Sequence, residues 1–151
     1  MIEGKNGSHS EAARIARFMG LTNWKAVDDL ALIDRVRDGL PVKTVETVAA
    51  RIDPDGRLFG PTDIIPKSTW HRRKAKQSLT QDESEKVLAF SRVFTEALRL
   101  YHDDARKVVQ FMLGKHPMLG NRSPLELVIG SMAGADLVLK LMARADAGVS
   151  T

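Results

Sequence analysis

The sequence predicts an all-α protein, and three observations carry that expectation. Apolar residues recur every three or four positions through most of the 151 residues, the period of an amphipathic helix. Helix-start signals stand in front of these stripes, among them two full capping boxes. No stretch of useful length alternates apolar and polar as a half-buried strand must.

Residues 1–8 are dominated by Gly, Asn, Lys and Ser and read as a mobile tail. From Ser10 onward Ala13, Ile15, Ala16, Phe18 and Met19 cluster at helical spacing, and Gly20 stops the helix. Asn23 is a good N-cap for a second helix, whose stripe runs Trp24, Val27, Leu30, Ile33 and Val36 with Gly39 just past the end. Pro41 suits a first helical position, where the missing donor costs nothing. Val42, Val45, Val48, Ala49 and Ile52 supply the apolar face behind it. Asp53-Pro54-Asp55-Gly56 is a turn: Asp initiates it, Pro fixes one φ and Gly takes the left-handed position. A short element at 61–65 ends at Pro66, because a residue before proline avoids helical backbone. Another helix is expected over 67–77, started by Ser68.

The second half opens on Thr80-Gln81-Asp82-Glu83, a capping box in which the Thr80 hydroxyl accepts from the Glu83 amide while the Glu83 carboxylate reaches back. Val87, Phe90, Phe94, Ala97, Leu98 and Tyr101 form a seam on a helix of about six turns that starts at this box. Asp103 is expected to cap a helix bearing Ala105, Val108, Val109, Met112 and Leu113, closed by Gly114, with a loop over 116–122. Ser123-Pro124-Leu125-Glu126 is the second box, with proline at the first helical position. After Gly134, Leu137, Val138, Leu141 and Met142 face a core, and Gly148 marks the end.

Composition narrows the function. The chain has no cysteine, so neither a disulfide framework nor a thiolate zinc site can form. The opening residues have no apolar run of the secretory kind, and the most apolar stretch, 125–143, holds Glu126, Asp136 and Lys140; a cytoplasmic protein is expected, with no membrane partner. There is no glycine-rich phosphate loop, no His-Glu-x-x-His and no nucleophile elbow. His9, His71, His102 and His116 are scattered without ligand spacing, and the pairs Asp28/Asp29 and Asp103/Asp104 sit where helix-dipole and solubility effects explain them. No catalytic residue, metal site or cofactor is expected.

Charge is informative in its distribution. Residues 1–80 carry 14 Lys/Arg against 10 Asp/Glu, whereas residues 81–151 are balanced at 9 and 9. The positive excess peaks in Lys67-Ser68-Thr69-Trp70-His71-Arg72-Arg73-Lys74-Ala75-Lys76, which contains five Lys/Arg and no acid. Such a helix suits a DNA groove: short hydroxyls approach phosphates and base edges, guanidinium groups read guanine bidentately, and lysines add sequence-independent attraction. With 41–52 and 61–65 before it, it resembles a helix-turn-helix unit with the recognition helix last. A basic solvated face is the plainer alternative. Trp70 could stack on a sugar or touch a thymine methyl, or anchor this helix to its scaffold, and Thr69 could likewise face inward. The neutral second half, rich in Leu, Val and Met, carries more apolar helix faces than one small bundle needs, so a dimer seam or a partner groove is expected as well.

The order of these pieces resembles a known family. The basic segment is followed by Leu79-Thr80-Gln81-Asp82-Glu83-Ser84-Glu85-Lys86, then Leu119-Gly120-Asn121-Arg122-Ser123-Pro124-Leu125-Glu126, then Gly134-Ala135-Asp136-Leu137-Val138 and a late Gly148. Each piece alone is weak; in this order, over about residues 30–148, they resemble the Xre/MbcA/ParS-type antitoxins, partners of RES-domain toxins. The resemblance implies an Xre-like helix-turn-helix N-terminal part followed by a C-terminal helical toxin-binding bundle. It divides the chain into an N-terminal tail and helix (1–22), a DNA-binding region (23–78) and a toxin-binding and dimerisation domain (79–151).

It further implies that the partner toxin consumes NAD, that the antitoxin occludes its pocket, and that the antitoxin, as a homodimer, represses its own operon by binding double-stranded operator DNA. Carried over, Lys67, Ser68, Thr69, His71, Arg72, Arg73, Lys74 and Lys76 would contact DNA. Gly134, Asp136, Leu137, Lys140, Arg144, Gly148, Val149, Ser150 and Thr151 would lie on the toxin. Two features depart from the family pattern: prolines and the Asp-Pro-Asp-Gly turn shorten the middle helix of the DNA-binding unit, and no aromatic residue stands near the last glycine. The alternative, resting on the basic helix alone, is a stand-alone helix-turn-helix transcriptional regulator.

Overall fold

A computed structural model describes residues 9–150, with the side chains of residues 149 and 150 left aside. The expected tail at 1–8 and the terminal Thr151 lie outside the described residues. Nine α-helices and no strand occur among the described residues; the sheet-like pairing is confined to two isolated bridges, Pro41 with Ser78 and His116 with Arg122.

Helix α1 (Glu11–Phe18) starts where Ser10 Oγ accepts the Ala13 amide, and it buries Ala12, Ala13, Ile15, Ala16 and Phe18. The second helical stretch divides in two. Asn23 adopts a left-handed φ of 54° and makes no side-chain cap, so only a 3-10 turn forms at Trp24–Ala26. The true cap is Asp28, whose carboxylate accepts the Ala31 amide and opens α2 (Asp29–Asp38). The buried face also differs from the expected stripe: Leu32 and Val36 are buried, while Leu30 and Ile33 point outward.

Helix α3 (Lys43–Ile52) buries Val45, Val48, Ala49 and Ile52, as its spacing requires. Pro41 stands two residues ahead of it rather than inside it, and its carbonyl accepts from both the amide and the hydroxyl of Thr44. In the turn that follows, the Gly56 amide donates to the Asp53 carbonyl, and the Asp53 carboxylate gathers the amides of Leu58 and Phe59. Phe59 is thereby led inward onto Phe90 and Phe94. The one-turn α4 (Pro61–Ile64) and α5 (Lys67–Lys74) complete the first half. Pro66, not Ser68, occupies the cap position of α5, and the helix stops at Lys74 rather than running on to Gln77.

Helix α6 (Gln81–Leu100) is the axis of the molecule, about 30 Å long at 1.5 Å per residue. It packs against α1, α2, α3 and α4 from the first half and α7, α8 and α9 from the second, so one hydrophobic core runs through both. Beyond the expected seam it also buries Ser84, Ala89, Ser91 and Val93, small side chains that let neighbours close on several sides. The Ser84 and Ser91 hydroxyls are satisfied by the carbonyls four residues back. Ser84 Oγ also accepts the buried Leu40 amide at 2.8 Å.

The remaining helices are α7 (Ala105–Leu113), α8 (Pro124–Gly130) and α9 (Met132–Ser150). Asp104, not Asp103, caps α7, because Asp103 and His102 both take positive φ in the reversal after α6. Leu113 is half-exposed at the α7 end. A 3-10 turn at Pro117–Leu119 interrupts the expected loop, and the second capping box forms at Ser123 and Glu126. Helix α9 crosses α8 so closely that a Cβ on Gly134 would sit 1.9 Å from the Leu127 carbonyl oxygen. Only glycine permits that crossing. Helix α9 runs through Gly148 to Ser150, since a glycine with helical neighbours weakens a helix without ending it. Among the described residues no helix is long and apolar enough to cross a membrane.

Candidate functional site

Three attachments hold α5 on the body. Trp70 is 5% exposed and docks the helix in the core, so the anchoring reading of this residue is the correct one. The segment after α5 is strapped to the α2–α3 connection: the Val42 amide donates to the Gln77 carbonyl at 3.0 Å and the Leu79 amide to the Leu40 carbonyl at 2.8 Å. Gly39 makes that strap possible, with φ 98° and a Cβ position only 2.3 Å from the Leu79 carbonyl oxygen. The third attachment is Arg73, whose Nε lies 3.0 Å from Glu83 Oε1.

The other basic side chains are presented to solvent. Lys67, Ser68, His71, Arg72 and Lys74 are exposed, Lys76 is exposed just beyond the helix end, and Thr69 is half-buried. Ser68, His71, Arg72 and Ala75, at helical spacings of three and four, make the stripe opposite Trp70 and Arg73. This outward face bears no acid. By contrast, a wide cleft of about 1150 Å³ between α1, α3 and α6 is also lined by arginines, yet these serve the fold. Arg51 donates to the carbonyls of Phe18 and Arg17 at the α1 terminus, Arg14 to that of His9, and Arg99 pairs with Glu96 and Asp146.

The electrostatics of the α5–α6 corner centre on Glu83. Burial alone raises its pKa, but the Thr80 amide and the Arg73 guanidinium outweigh that and hold the carboxyl below the ordinary glutamate value. It therefore stays ionised at neutral pH and serves two partners at once, capping α6 and tethering α5. The capping box was legible in the sequence; the tether was not, because it joins residues ten positions apart across a turn.

On α9 the outward stripe is Ala133, Asp136, Leu137, Lys140, Ala143, Arg144, Ala147 and Gly148, all exposed. Of the residues expected on a partner, Asp136, Leu137, Lys140, Arg144 and Gly148 share this face, whereas Gly134 is buried in the α8 crossing. Leu137, expected in the core, is instead 42% exposed; Ala135, Val138 and Met142 are the inward residues. Val149 and Ser150 continue the helix, with side chains outside the described set, as is Thr151. Sequence reasoning missed further exposed apolar groups in the same half, namely Leu113, Met118, Ile129 and Met132. A count of large apolar residues would have flagged an excess without saying which stayed outside.

Fold and surfaces together define a class: a helical protein with a basic helix-turn-helix unit in front and a partner-binding helical module behind, joined by one long helix. The comparisons specify it. Residues 31–92 match the model of the antitoxin Xre-like helix-turn-helix domain, and residues 97–148 that of the antitoxin Xre/MbcA/ParS C-terminal toxin-binding domain. The chain is 29% identical over 114 residues to Antitoxin Xre of Yersinia enterocolitica serotype O:8 / biotype 1B, covering 73% of this chain and 77% of the relative. It is 30% identical over 122 residues to Antitoxin Xre of Photorhabdus laumondii subsp. laumondii, covering 76% and 77%. The chain belongs to the Xre family of antitoxins. Its two domains bind DNA and a toxin; neither is a catalytic domain.

Proposed function

We propose that this antitoxin neutralises a RES-domain, NAD-consuming toxin by covering the mouth of its active site, and that it binds operator DNA as a homodimer to regulate its own operon. Both NAD and the operator are cytoplasmic, and so is the protein in this reading. Residues 23–78 carry DNA binding, residues 79–151 carry toxin binding and dimerisation, and residues 1–22 precede both.

The observation that carries the toxin half of this reading is the α9 stripe. A 19-residue helix offers Asp136, Leu137, Lys140 and Arg144 outward within the toxin-binding domain. An apolar anchor ringed by charges of both signs is the composition of a partner-facing helix. Among the described residues, five of the eight large apolar side chains that remain exposed, Leu113, Met118, Ile129, Met132 and Leu137, belong to this half. The small residues Gly148, Val149, Ser150 and Thr151, which follow this stripe in the sequence, are read as part of the same toxin contact. Gly134 contributes indirectly, by seating α9 against α8. For the DNA half, the support is the acid-free outward face of α5, with Lys67, Ser68, Thr69, His71, Arg72, Lys74 and Lys76 as contacts. A homodimer would present two such helices to successive half-sites.

The decisive experiment measures cellular NAD while the product of the gene adjoining this one, expected to be a RES-type toxin, is expressed alone and together with the antitoxin. NAD is preserved on co-expression, and lost again when residues 134–151 are deleted. If NAD collapses in both cases, occlusion is wrong; if the deletion is harmless and no toxin copurifies, the chain acts as a stand-alone regulator.

A further inference from the structure

A helix turns about 100° per residue, so the basic residues of α5 cannot all face one ligand. Trp70 and Arg73, three positions apart, share one side, and that side faces the protein. The Arg73 side chain is only 22% exposed and that of Glu83 12%. The guanidinium Nε lies 3.0 Å from Glu83 Oε1 and 3.1 Å from Oε2. The carboxylate is itself immobilised, since Oε1 accepts the Thr80 amide at 2.9 Å and the Thr80 hydroxyl accepts the Glu83 amide at 3.1 Å. The pair thus joins the basic helix to the first turn of α6.

We infer that Arg73 is a positioning residue: through Glu83 it sets the angle at which α5 presents Ser68, His71 and Arg72, and it reads no base itself. The inference rests on α5 being the DNA-binding helix. Trp70 and the strap at Leu79 hold the helix near its middle and beyond its end; the Arg73–Glu83 pair removes the remaining freedom to roll about its axis. A rolled helix keeps its charge and loses its register, so specific binding suffers while non-specific attraction persists.

The test uses the full chain and duplexes enriched by it from a random-sequence pool, with an unselected duplex of equal length as control. Arg73→Ala, Arg73→Lys, Glu83→Gln, the Arg73→Ala/Glu83→Gln double variant, Arg72→Ala and Lys74→Ala are compared over several salt concentrations. Glutamine keeps the capping box, because its carbonyl also accepts the Thr80 amide, and thermal melts establish that each variant is folded. Arg73→Ala and Glu83→Gln should each weaken binding to selected duplexes roughly tenfold, leave the unselected duplex and the salt slope as in the parent, and combine without further loss. Arg73→Lys should recover part of the affinity.

Two results overturn the inference. In one, Arg73→Ala relaxes preference at a single base position or lowers the salt slope by about one, while Glu83→Gln binds like the parent; Arg73 then sits on DNA. In the other, Arg72→Ala and Lys74→Ala also bind like the parent; α5 is then not the DNA-binding helix, and the positioning role falls with that reading.

Discussion

Glycine-to-alanine substitution should have opposite signs at two positions of α9. At Gly134 the new Cβ would stand 1.9 Å from the Leu127 carbonyl oxygen, 2.6 Å from its carbon and 3.2 Å from its Cα. Ordinary carbon–oxygen contact needs about 3.4 Å, so α8 and α9 must part by roughly 1.5 Å. The obstacle is backbone inside a capped helix, which cannot swing aside as a side chain could. Separation loosens Ala135, Val138 and Met142, which are 3%, 0% and 2% exposed. Overpacking of this kind costs about 1–3 kcal/mol, against at most about 1 kcal/mol gained from removing a helical glycine. The clash wins, and a net loss of about 1 kcal/mol lowers Tm by roughly 2–4 °C for a chain of this size. At Gly148 a Cβ would meet nothing within 4 Å, so only the helix-propensity gain remains. Gly148→Ala should raise Tm slightly. Thermal and urea unfolding followed by helical circular dichroism decides the matter. A Gly134→Ala protein as stable as the parent, or a Gly148→Ala protein less stable than Gly134→Ala, would refute the close-crossing argument.

Three further outcomes are expected. Leu137→Asp should weaken toxin binding at least tenfold, since it places a charge in the centre of a partner-facing stripe, with Tm unchanged because the residue is 42% exposed; toxin pull-down and melting test both clauses. Arg72→Ala should cost about 1–3 kcal/mol of specific DNA affinity, and Lys74→Ala should act evenly across sequences and flatten the salt dependence, read by binding isotherms at graded salt. Glu83 has a folded pKa below its unfolded value, so its contribution is complete above roughly pH 4.3 and drains away as pH falls towards the folded pKa. Glu83→Gln should therefore flatten the acid limb of the stability profile, and an unchanged limb would contradict the assigned cause.

Much of this protein is determined by interactions that reach no more than four residues along the chain. Ser10, Thr80 and Ser123 cap helices by bonding to amides three positions ahead, and the stripe of α3 repeats at the helix period. Those features follow from the order of residues alone, and with them the all-α class, the basic segment and the family. Where two local solutions competed, the sequence was ambiguous: Asn23 and Asp28 are both good caps, as are Asp103 and Asp104, and only the structure shows which one is used. Tertiary structure decided what depends on crossing helices. Arg73 becomes a tether rather than a free cation because α6 brings Glu83 beneath it. Gly134 becomes a contact point because α8 passes over it, and Leu137 stays outside because Ala135, Val138 and Met142 already fill the other side of α9. Periodicity tells which residues share a face; only the packing of one helix on another tells which face is covered.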